Sequence, residues 1–490
     1  MIKLRAFTLL LLISFPAATA WSEELKVPTE DLASLVAASV ANNPELKSSQ
    51  SRWQMFKNRI DQAGSLDDPM LMLKIQNGIV TDPFNFSKDP MTQKVIGISQ
   101  QLPFWGKRGL KAEIAAKEAE SYRWQVEERK LELVRMVKET YYKIYLTDKY
   151  LAIVEKNISI LNDFVSLAKI KYSVGQGMQQ DVFKSQVERS KMLDMKISLE
   201  QERTSLETAL NALLFRTPET VVGRIHDFDL QPLRLSAENL RRTAWETRPL
   251  VKSLRALIEK GEAGYKLAKK ESYPDFNVSF EYMQRQKTMN DEGLDMYSLG
   301  VTFNLPVQHK RRQAMVAESD SEISMASEEL NGLRNTINPA ISDLLAKLQK
   351  SQKLVSLYKT GIILQAEQSL ESAIIGYRVN KADFLNLLDS RMTLFNYDRQ
   401  LYESQAEYMM TLAQLEAVVG TDLVSDSAPP AQPAAAAAEK PESAAVSAPA
   451  APAPAPASVA SAPGKPELAT AAPAAAHVVP AATPNHSPNH

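Results

Sequence analysis

A stretch of 66 residues without proline, from Lys107 to Tyr172, constrains this chain more than any other feature. Its second half carries apolar residues at alternating spacings of three and four, the heptad pattern of a helix with one buried seam. The residues of this seam are Leu151, Val154, Ile158, Leu161, Val165, Ala168 and Tyr172. A helix of this length extends for roughly 100 Å. A globular domain of ordinary size does not need such a rod, so the sequence predicts a structure that spans a long distance.

The first twenty residues predict export from the cytoplasm. Lys3 and Arg5 precede an apolar run, and Ala18-Thr19-Ala20 supplies small residues for cleavage, so residues 1–20 are predicted to be a Sec-type signal peptide. The apolar run is too short to span a bilayer as an anchor. The chain has no Cys, which excludes disulfides, a lipid on an N-terminal Cys and Cys-based metal sites. Its formal charge of −1 provides no basic surface for nucleic acid.

Two segments of the chain share one pattern. Arg248-Pro249-Leu250 corresponds to Asn43-Pro44-Glu45, and Tyr377-Arg378-Val379-Asn380 corresponds to Tyr172-Ser173-Val174-Gly175, both at an offset of 205. These matches predict a duplicated unit, with residues 21–235 as the first repeat and residues 236–424 as the second. Within the first repeat, Asn43 is expected to cap a helix that begins at Pro44.

Each repeat contains a pair of predicted strands, at about 70–80 and 94–103 and at about 275–286 and 295–306. In the second pair, every other residue is apolar and the residues between are small or polar, as in Phe276 to Tyr282. This alternation fits a barrel wall between lipid and water, or a sheet packed on a soluble core. Because the long helices leave nothing obvious to cover the apolar face, the wall is favoured. Four strands cannot close a transmembrane barrel, so two or three subunits must share one.

Two further segments interrupt this pattern. The second rod, at about residues 310–377, contains Pro339, which removes a helical hydrogen bond. We expect a kink there, or a rod of two stacked helices. Residues 425–490 consist mostly of Ala, Pro and Ser and are predicted to be a disordered tail, because such a composition cannot bury a core.

The signal peptide, the duplicated unit and the Tyr-x-x-Gly-x-x-x-x-x-Asp turn from Tyr172 to Asp181 resemble the TolC-like outer membrane efflux family over about residues 30–423. The resemblance implies a homotrimer that is mainly α with a small β part. Long antiparallel coiled helices would form an α-barrel in the periplasm, continuous with a shared 12-stranded β-barrel to which each chain contributes four transmembrane strands. The implied partners are a periplasmic adaptor (membrane fusion) protein, an inner-membrane pump of the RND type and outer membrane lipid.

The family's periplasmic tips correspond to residues 172–182 and 377–387. For the gate, the resemblance implies Tyr377, Asp181, Asp389 and Asn386, with a hydrogen bond from the tyrosine to Asp181 holding the tip shut. For adaptor docking, it implies the tip residues Gly175, Gly177, Val182, Asn380 and Ala382. The family's basic gate residue falls at Ala382, so that salt bridge is missing, with Lys381 or Arg378 as substitutes. Asp181 could also be the N-cap of the return helix.

The resemblance implies a passive exit duct. The corner from Leu102 to Gly109 looks like that of the heavy-metal cation-efflux (CzcC/CusC-like) branch, which favours metal cations over drugs. A type I protein secretion duct and a periplasmic coiled-coil scaffold or adaptor without a barrel remain alternatives. The sequence has no nucleophile–base constellation, phosphate-binding glycine loop or metal-ligand spacing, so neither an enzyme nor a cofactor is predicted.

Overall fold

The computed structural model describes residues 31–230, 233 and 235–423, and both the predicted signal peptide and the predicted tail lie outside these ranges. The described chain is mostly helical with one small sheet, as expected, and the same order of elements occurs twice. The first set is α1 (Leu32–Asn42), α2 (Pro44–Gly64), β1 (Met70–Gln76), β2 (Gln93–Leu102), α3 (Lys107–Ser173) and α4 (Gln179–Leu214). The second set is α5 (Ala237–Thr247), α6 (Pro249–Lys270), β3 (Phe276–Arg285), β4 (Met296–Phe303), α7 (His309–Leu357), a π-helical turn (Tyr358–Ile362), α8 (Ile363–Arg378) and α9 (Phe384–Val419).

The start of α2 follows from local chemistry. The side chain of Asn43 accepts hydrogen bonds from the backbone N–H groups of Glu45 and Leu46, at 3.0 and 3.1 Å. Pro44 occupies the first helical position, where its missing N–H costs nothing. The predicted cap is therefore confirmed.

The rod α3 has 67 residues and packs beside α2, α4, α6 and α9. Only one of the two rows of residues predicted to form its seam is buried. Val154, Leu161 and Ala168 are buried as expected, but the second row of buried residues is Asn157, Phe164 and Lys171. The predicted row of Ile158, Val165 and Tyr172 lies one residue further on and is partly or largely exposed. The prediction was wrong here because Asn157 and Lys171 are polar and do not contribute to an apolar pattern.

Three apolar clusters fill the helical part. One joins α3, α4, α8 and α9 near the turns that end α3 and α8, and includes Leu161, Leu199 and Leu387. A second joins α1 to α4 around Leu35 and Val137. The third lies among α5, α6, α7 and α9. Each cluster combines helices that are distant in the chain.

The structure excludes one of the two arrangements expected for the second rod at Pro339. The helix α7 continues through this proline to Leu357, so the rod is not two helices stacked at that point. The regular α-helix is interrupted nineteen residues later, where the π-helical turn Tyr358–Ile362 separates α7 from α8. Neighbouring helices α6 and α9 pack along α7 and stabilise it against the local penalty of proline.

The four strands form one antiparallel sheet in the order β1-β2-β3-β4. Its register aligns apolar residues across all four strands on one face. One row is Leu71–Ile98–Phe280–Leu299, and the next is Leu73–Ile96–Tyr282–Tyr297. All eight side chains are exposed, so the described helices leave this face uncovered.

The opposite face of the sheet is mixed and more polar. Ser99, Ser279 and Gly300 form one row across it, and Lys74 forms an ion pair with Glu281 at 3.4 Å. The two faces of the sheet therefore suit different surroundings. Within the described residues, no helix is both long and apolar enough to cross a membrane.

Lys107 ties the sheet to the rods at the start of α3. It is 1% exposed, and its ammonium group contacts Asp275 at 3.0 Å, Glu271 at 3.3 Å and the carbonyl oxygen of Tyr273 at 3.0 Å. Asp275 also accepts a hydrogen bond from the backbone N–H of Phe104 at 2.8 Å. One buried cation thus joins the start of α3 in the first repeat to the α6–β3 connection of the second.

We expect Lys107→Met to destabilise the protein by about 3 kcal/mol, because it leaves two partly buried carboxylates without their cation. Thermal unfolding followed by circular dichroism measures the effect. The control is Lys111→Met, one turn further along α3, where the side chain is exposed. Equal melting temperatures for the two variants would contradict the structural role of Lys107.

Candidate functional site

The turns that end α3 and α8 have the same backbone geometry. In the first, Gln176 N–H donates to the carbonyl oxygen of Lys171 at 2.8 Å, and in the second, Lys381 N–H donates to that of Gly376 at 2.8 Å. Each turn has a residue with a left-handed backbone between these positions, Gly175 at φ 73° or Asn380 at φ 59°. These are Schellman motifs, which satisfy the last carbonyl groups of a helix. Their residues correspond at the offset of 205.

Lys171 joins the two turns. Its side chain is 6% exposed, and its ammonium group donates to the carbonyl oxygen of Tyr377 at 2.5 Å and to the side-chain oxygen of Asn380. The carbonyl oxygen of Arg378 lies further away, at 3.4 Å. The ammonium group also lies 4.6 Å from the centre of the Tyr377 ring, a cation–π distance.

Tyr377 is 5% exposed and packs edge-on against Phe384, with ring centres 5.5 Å apart. Its hydroxyl group has no hydrogen-bond partner among the residues that the structure describes. Burial raises the pKa of this hydroxyl, and the nearby carboxylates of Asp181 and Asp383 raise it further. The phenol therefore stays protonated in this environment.

Asp181 is the third residue of α4, whereas the N-cap is Met178. Asp181 is therefore not the N-cap of α4. Burial raises the pKa of Asp181 and the charge of Asp383 raises it further, while the backbone of Met178 and the charge of Lys184 lower it. The hydroxyl of Tyr377 has no partner within the described chain, so the predicted hydrogen bond with Asp181 does not form there.

The remaining sequence-predicted residues differ in accessibility. Asn386 and Asp389 are exposed and lie one turn apart on α9. The turn residues Gly175 and Asn380 are exposed, and Gly177 and Ala382 are half-buried, but Val182 is buried in the cluster near the turns. Because Val182 is buried, a partner cannot contact its side chain in this structure. The candidate cations Lys381 and Arg378 are exposed, and Lys171 is the cation that lies beside Tyr377.

A groove of about 600 Å³ runs beside these turns between the starts of α4 and α9. Phe183, Val187 and Leu385 line it with exposed apolar side chains, and Lys184 and Glu188 add charge. The described part of the chain contains no group of three or more His, Asp or Glu side chains that could hold a metal ion.

Sequence reasoning missed a second polar contact inside the same cluster of helices. Arg391 is 2% exposed, and its Nε donates to the side-chain oxygen of Asn157 at 2.6 Å. Burial lowers the pKa of Arg391. Asn157 and Lys171 are both in the unexpected row of the α3 seam. The sequence feature that could have revealed this row is the spacing of fourteen residues, or two heptads, between Asn157 and Lys171.

A model of the family described as "Outer membrane efflux protein" matches residues 35–214 and 240–421 of this chain. The chain belongs to this family. The two matched segments follow the two sets of elements described above. As a member, the protein lies in the outer membrane, with its helical part in the periplasm.

Individual proteins are similar to this outer membrane efflux protein at low identity. The cobalt-zinc-cadmium resistance protein CzcC of Cupriavidus metallidurans is 24% identical over 52% of this chain, and the match spans 60% of CzcC. The outer membrane efflux protein BepC of Brucella suis is 22% identical over 79% of this chain and 84% of BepC. The crystal structure of VceC from Vibrio cholerae superposes with a TM-score of 0.68 at 18% identity, covering 80% of this chain and 96% of VceC. CusC gives the same TM-score at 14% identity, covering 80% of this chain and 92% of CusC.

We expect the turns to become more stable as the pH falls. A carboxyl group whose pKa is raised by folding contributes stability below its unfolded pKa and loses that contribution as the pH rises through its folded pKa. Asp181 is such a group. Hydrogen exchange at residues 172–185, corrected for the intrinsic rate, should therefore slow between pH 7 and about pH 4.

Asp181→Asn should remove most of this pH dependence and slow exchange at pH 7, since a neutral amide avoids the cost of burying a charge. Asp163→Asn, an exposed position on α3, is the control. Faster exchange on acidification of the native protein would contradict the raised pKa of Asp181.

Proposed function

We propose that this protein is the outer membrane channel of a tripartite efflux system. In this proposal three copies form a passive exit duct for heavy-metal cations or small toxic compounds. An inner-membrane pump of the RND type and a periplasmic adaptor deliver these substrates. Family membership supports a channel over a periplasmic scaffold without a barrel.

The observation that carries the proposal is the uncovered apolar face of the sheet. Leu299 is 70% exposed and Tyr297 is 76% exposed, although both belong to continuous rows of large apolar side chains. Water makes such a surface unfavourable by about 25 cal/mol for each Å². Lipid removes that cost on one face, while the polar face with Lys74 and Glu281 can line a water-filled lumen.

The edges of the sheet support a shared barrel. β1 and β4 are the two edge strands, and their outer backbone groups need partners inside a membrane. Because the four strands alternate in direction, β1 of one copy can pair antiparallel with β4 of the next. Two copies would give about eight strands, an interior filled by side chains, and three copies would give twelve and leave room for a passage.

The helices supply the length that a duct needs outside the membrane. The 67 residues of α3 extend for roughly 100 Å. In the proposed trimer, α3, α4, α7, α8 and α9 of each chain form the wall of the periplasmic tube. The turns after α3 and α8 then lie at its far end, where they would form both the gate and the adaptor-docking tips.

At this end we assign the gate to Tyr377, Asp181, Asn386 and Asp389. The exposed carboxylate of Asp389 would form a ring of three charges at the constriction. The docking surface would include the groove beside Phe183 and the exposed turn residues Gly175 and Asn380. An apolar groove flanked by charged side chains suits the face of an amphipathic adaptor helix.

Heavy-metal cations are the substrate class that we favour. The support is the similarity to the cobalt-zinc-cadmium resistance protein and the resemblance of the Leu102–Gly109 corner to the cation-efflux branch. In the structure this corner carries Lys107, and its Phe104 stacks on Tyr273 with ring centres 4.6 Å apart. The corner thus positions the sheet relative to α3.

Planar-bilayer recording of the purified protein tests the proposal. The protein should form channels of low resting conductance that multivalent cations block. For Asp389→Asn, half-block should require a concentration about tenfold higher, because three exposed charges contribute about 0.5 kcal/mol each.

Asp194→Asn is a matched control, since Asp194 is an exposed acid on α4. It should leave the block unchanged. Absence of channels in the native protein would overturn the proposed function. Equal block of the native protein and the Asp389 variant would overturn only the assignment of the constriction.

A further inference from the structure

The two turns differ at one pair of facing positions. In the first, these are Lys171 and Gly177, and in the second, Gly376 and Ala382. A Cβ atom added at Gly177 would lie 3.0 Å from the Cβ of Lys171, and one added at Gly376 would lie 2.9 Å from the Cβ of Ala382. Each turn therefore needs a glycine at one of its two positions, and the two turns place it on opposite sides.

Because of this difference, the first turn can carry a long side chain, that of Lys171, at a position where the second turn has Gly376. Gly177 leaves space beside the backbone, and the side chain of Lys171 crosses to the second turn. There it reaches the carbonyl group of Tyr377 and the side chain of Asn380. The second turn cannot return this contact, because its equivalent residue is Gly376.

The target of Lys171 is the carboxyl end of α8. The last carbonyl groups of a helix carry partial negative charge, so a cation is stabilising there. Lys171 is on α3, and thus one repeat caps a helix of the other. Among the described residues, Lys171 forms no ion pair with a carboxylate, and its desolvation is compensated by carbonyl oxygens, the Asn380 side chain and the Tyr377 ring.

We propose that Lys171 is the latch that holds the two helix pairs of each chain together at the tip and keeps the resting channel closed. This inference rests on the proposed function, because a latch requires a gate. A movement of the α8–α9 pair away from the α3–α4 pair would break the contacts of the ammonium group with its three oxygen partners. The hydroxyl of Tyr377 makes no bond that would resist the same movement in the described chain.

Single-channel recording in planar bilayers tests the latch. Lys171→Met keeps the length of the side chain but removes its charge and its three donors. The open fraction of the resting channel should rise about tenfold, because bonds of a charged group are lost. Lys169→Met, at an exposed position two residues earlier on α3, should behave like the native protein.

A change in the opposite direction separates a latch from a general structural role. Asn380→Asp places a carboxylate beside the ammonium group and should lower the open fraction below that of the native channel. A substitution that merely damaged the turn would raise it. Asn380 tolerates this change because Asp, like Asn, readily takes a left-handed backbone.

Chemical rescue provides a further test, since the native chain contains no Cys and an introduced thiol would be the single reactive one. Lys171→Cys should open the channel, and aminoethylation of the thiol, checked by mass, should restore an ammonium group and close it. Alkylation with the neutral reagent iodoacetamide should not restore closure.

Three results would overturn the inference: an unchanged open fraction in Lys171→Met, a higher one in Asn380→Asp, or no recovery on aminoethylation. In each case, channels formed by the native protein would leave the proposed function intact. Absence of native channels would overturn both.

Discussion

The uncovered apolar face of the four-stranded sheet is the constraint on which the rest of this structure depends. Its rows of large side chains, such as Leu71–Ile98–Phe280–Leu299, are exposed, because none of the long helices among the described residues covers them. Exposing such a surface to water costs free energy, and contact with lipid removes this cost. In the proposed channel this face contacts lipid, the open edges of the sheet pair with other copies, and the long helices form the wall of the duct.

Duplication explains the architecture, but the buried contacts that join the two repeats lie where the repeats differ. Lys107 is buried between both repeats, whereas Lys310, which follows Leu305-Pro306 at the spacing with which Lys107 follows Leu102-Pro103, is exposed. Tyr172 is half-exposed, whereas its equivalent, Tyr377, is buried. At the tip, Lys171 faces Gly177 while Gly376 faces Ala382. A buried cation from one repeat that binds the backbone of the other makes the two halves dependent on each other.

Features set by local chemistry could be predicted from the sequence. The cap at Asn43, the long rod and the alternating strands follow from residue type and spacing over a few turns. The end of β1 at Gln76 came earlier than expected because Asn77 takes a left-handed backbone, at φ 57°. The buried row through Asn157 and Lys171 could not be predicted from an apolar pattern. Burial of these residues depends on Arg391 and Tyr377, which are more than 200 residues away in the chain.

The measurement that tests the central claim most directly compares two neighbouring positions on β4. Leu299 lies on the apolar face, and Ser298 lies on the opposite face beside Glu281. Arginine on a lipid-facing strand position costs about 2–4 kcal/mol at the membrane centre. The account predicts that Leu299→Arg sharply reduces the trimer recovered from the outer membrane fraction, and that Ser298→Arg leaves it near the native amount. Equal recovery of the two variants, or a greater loss for Ser298→Arg, would contradict it.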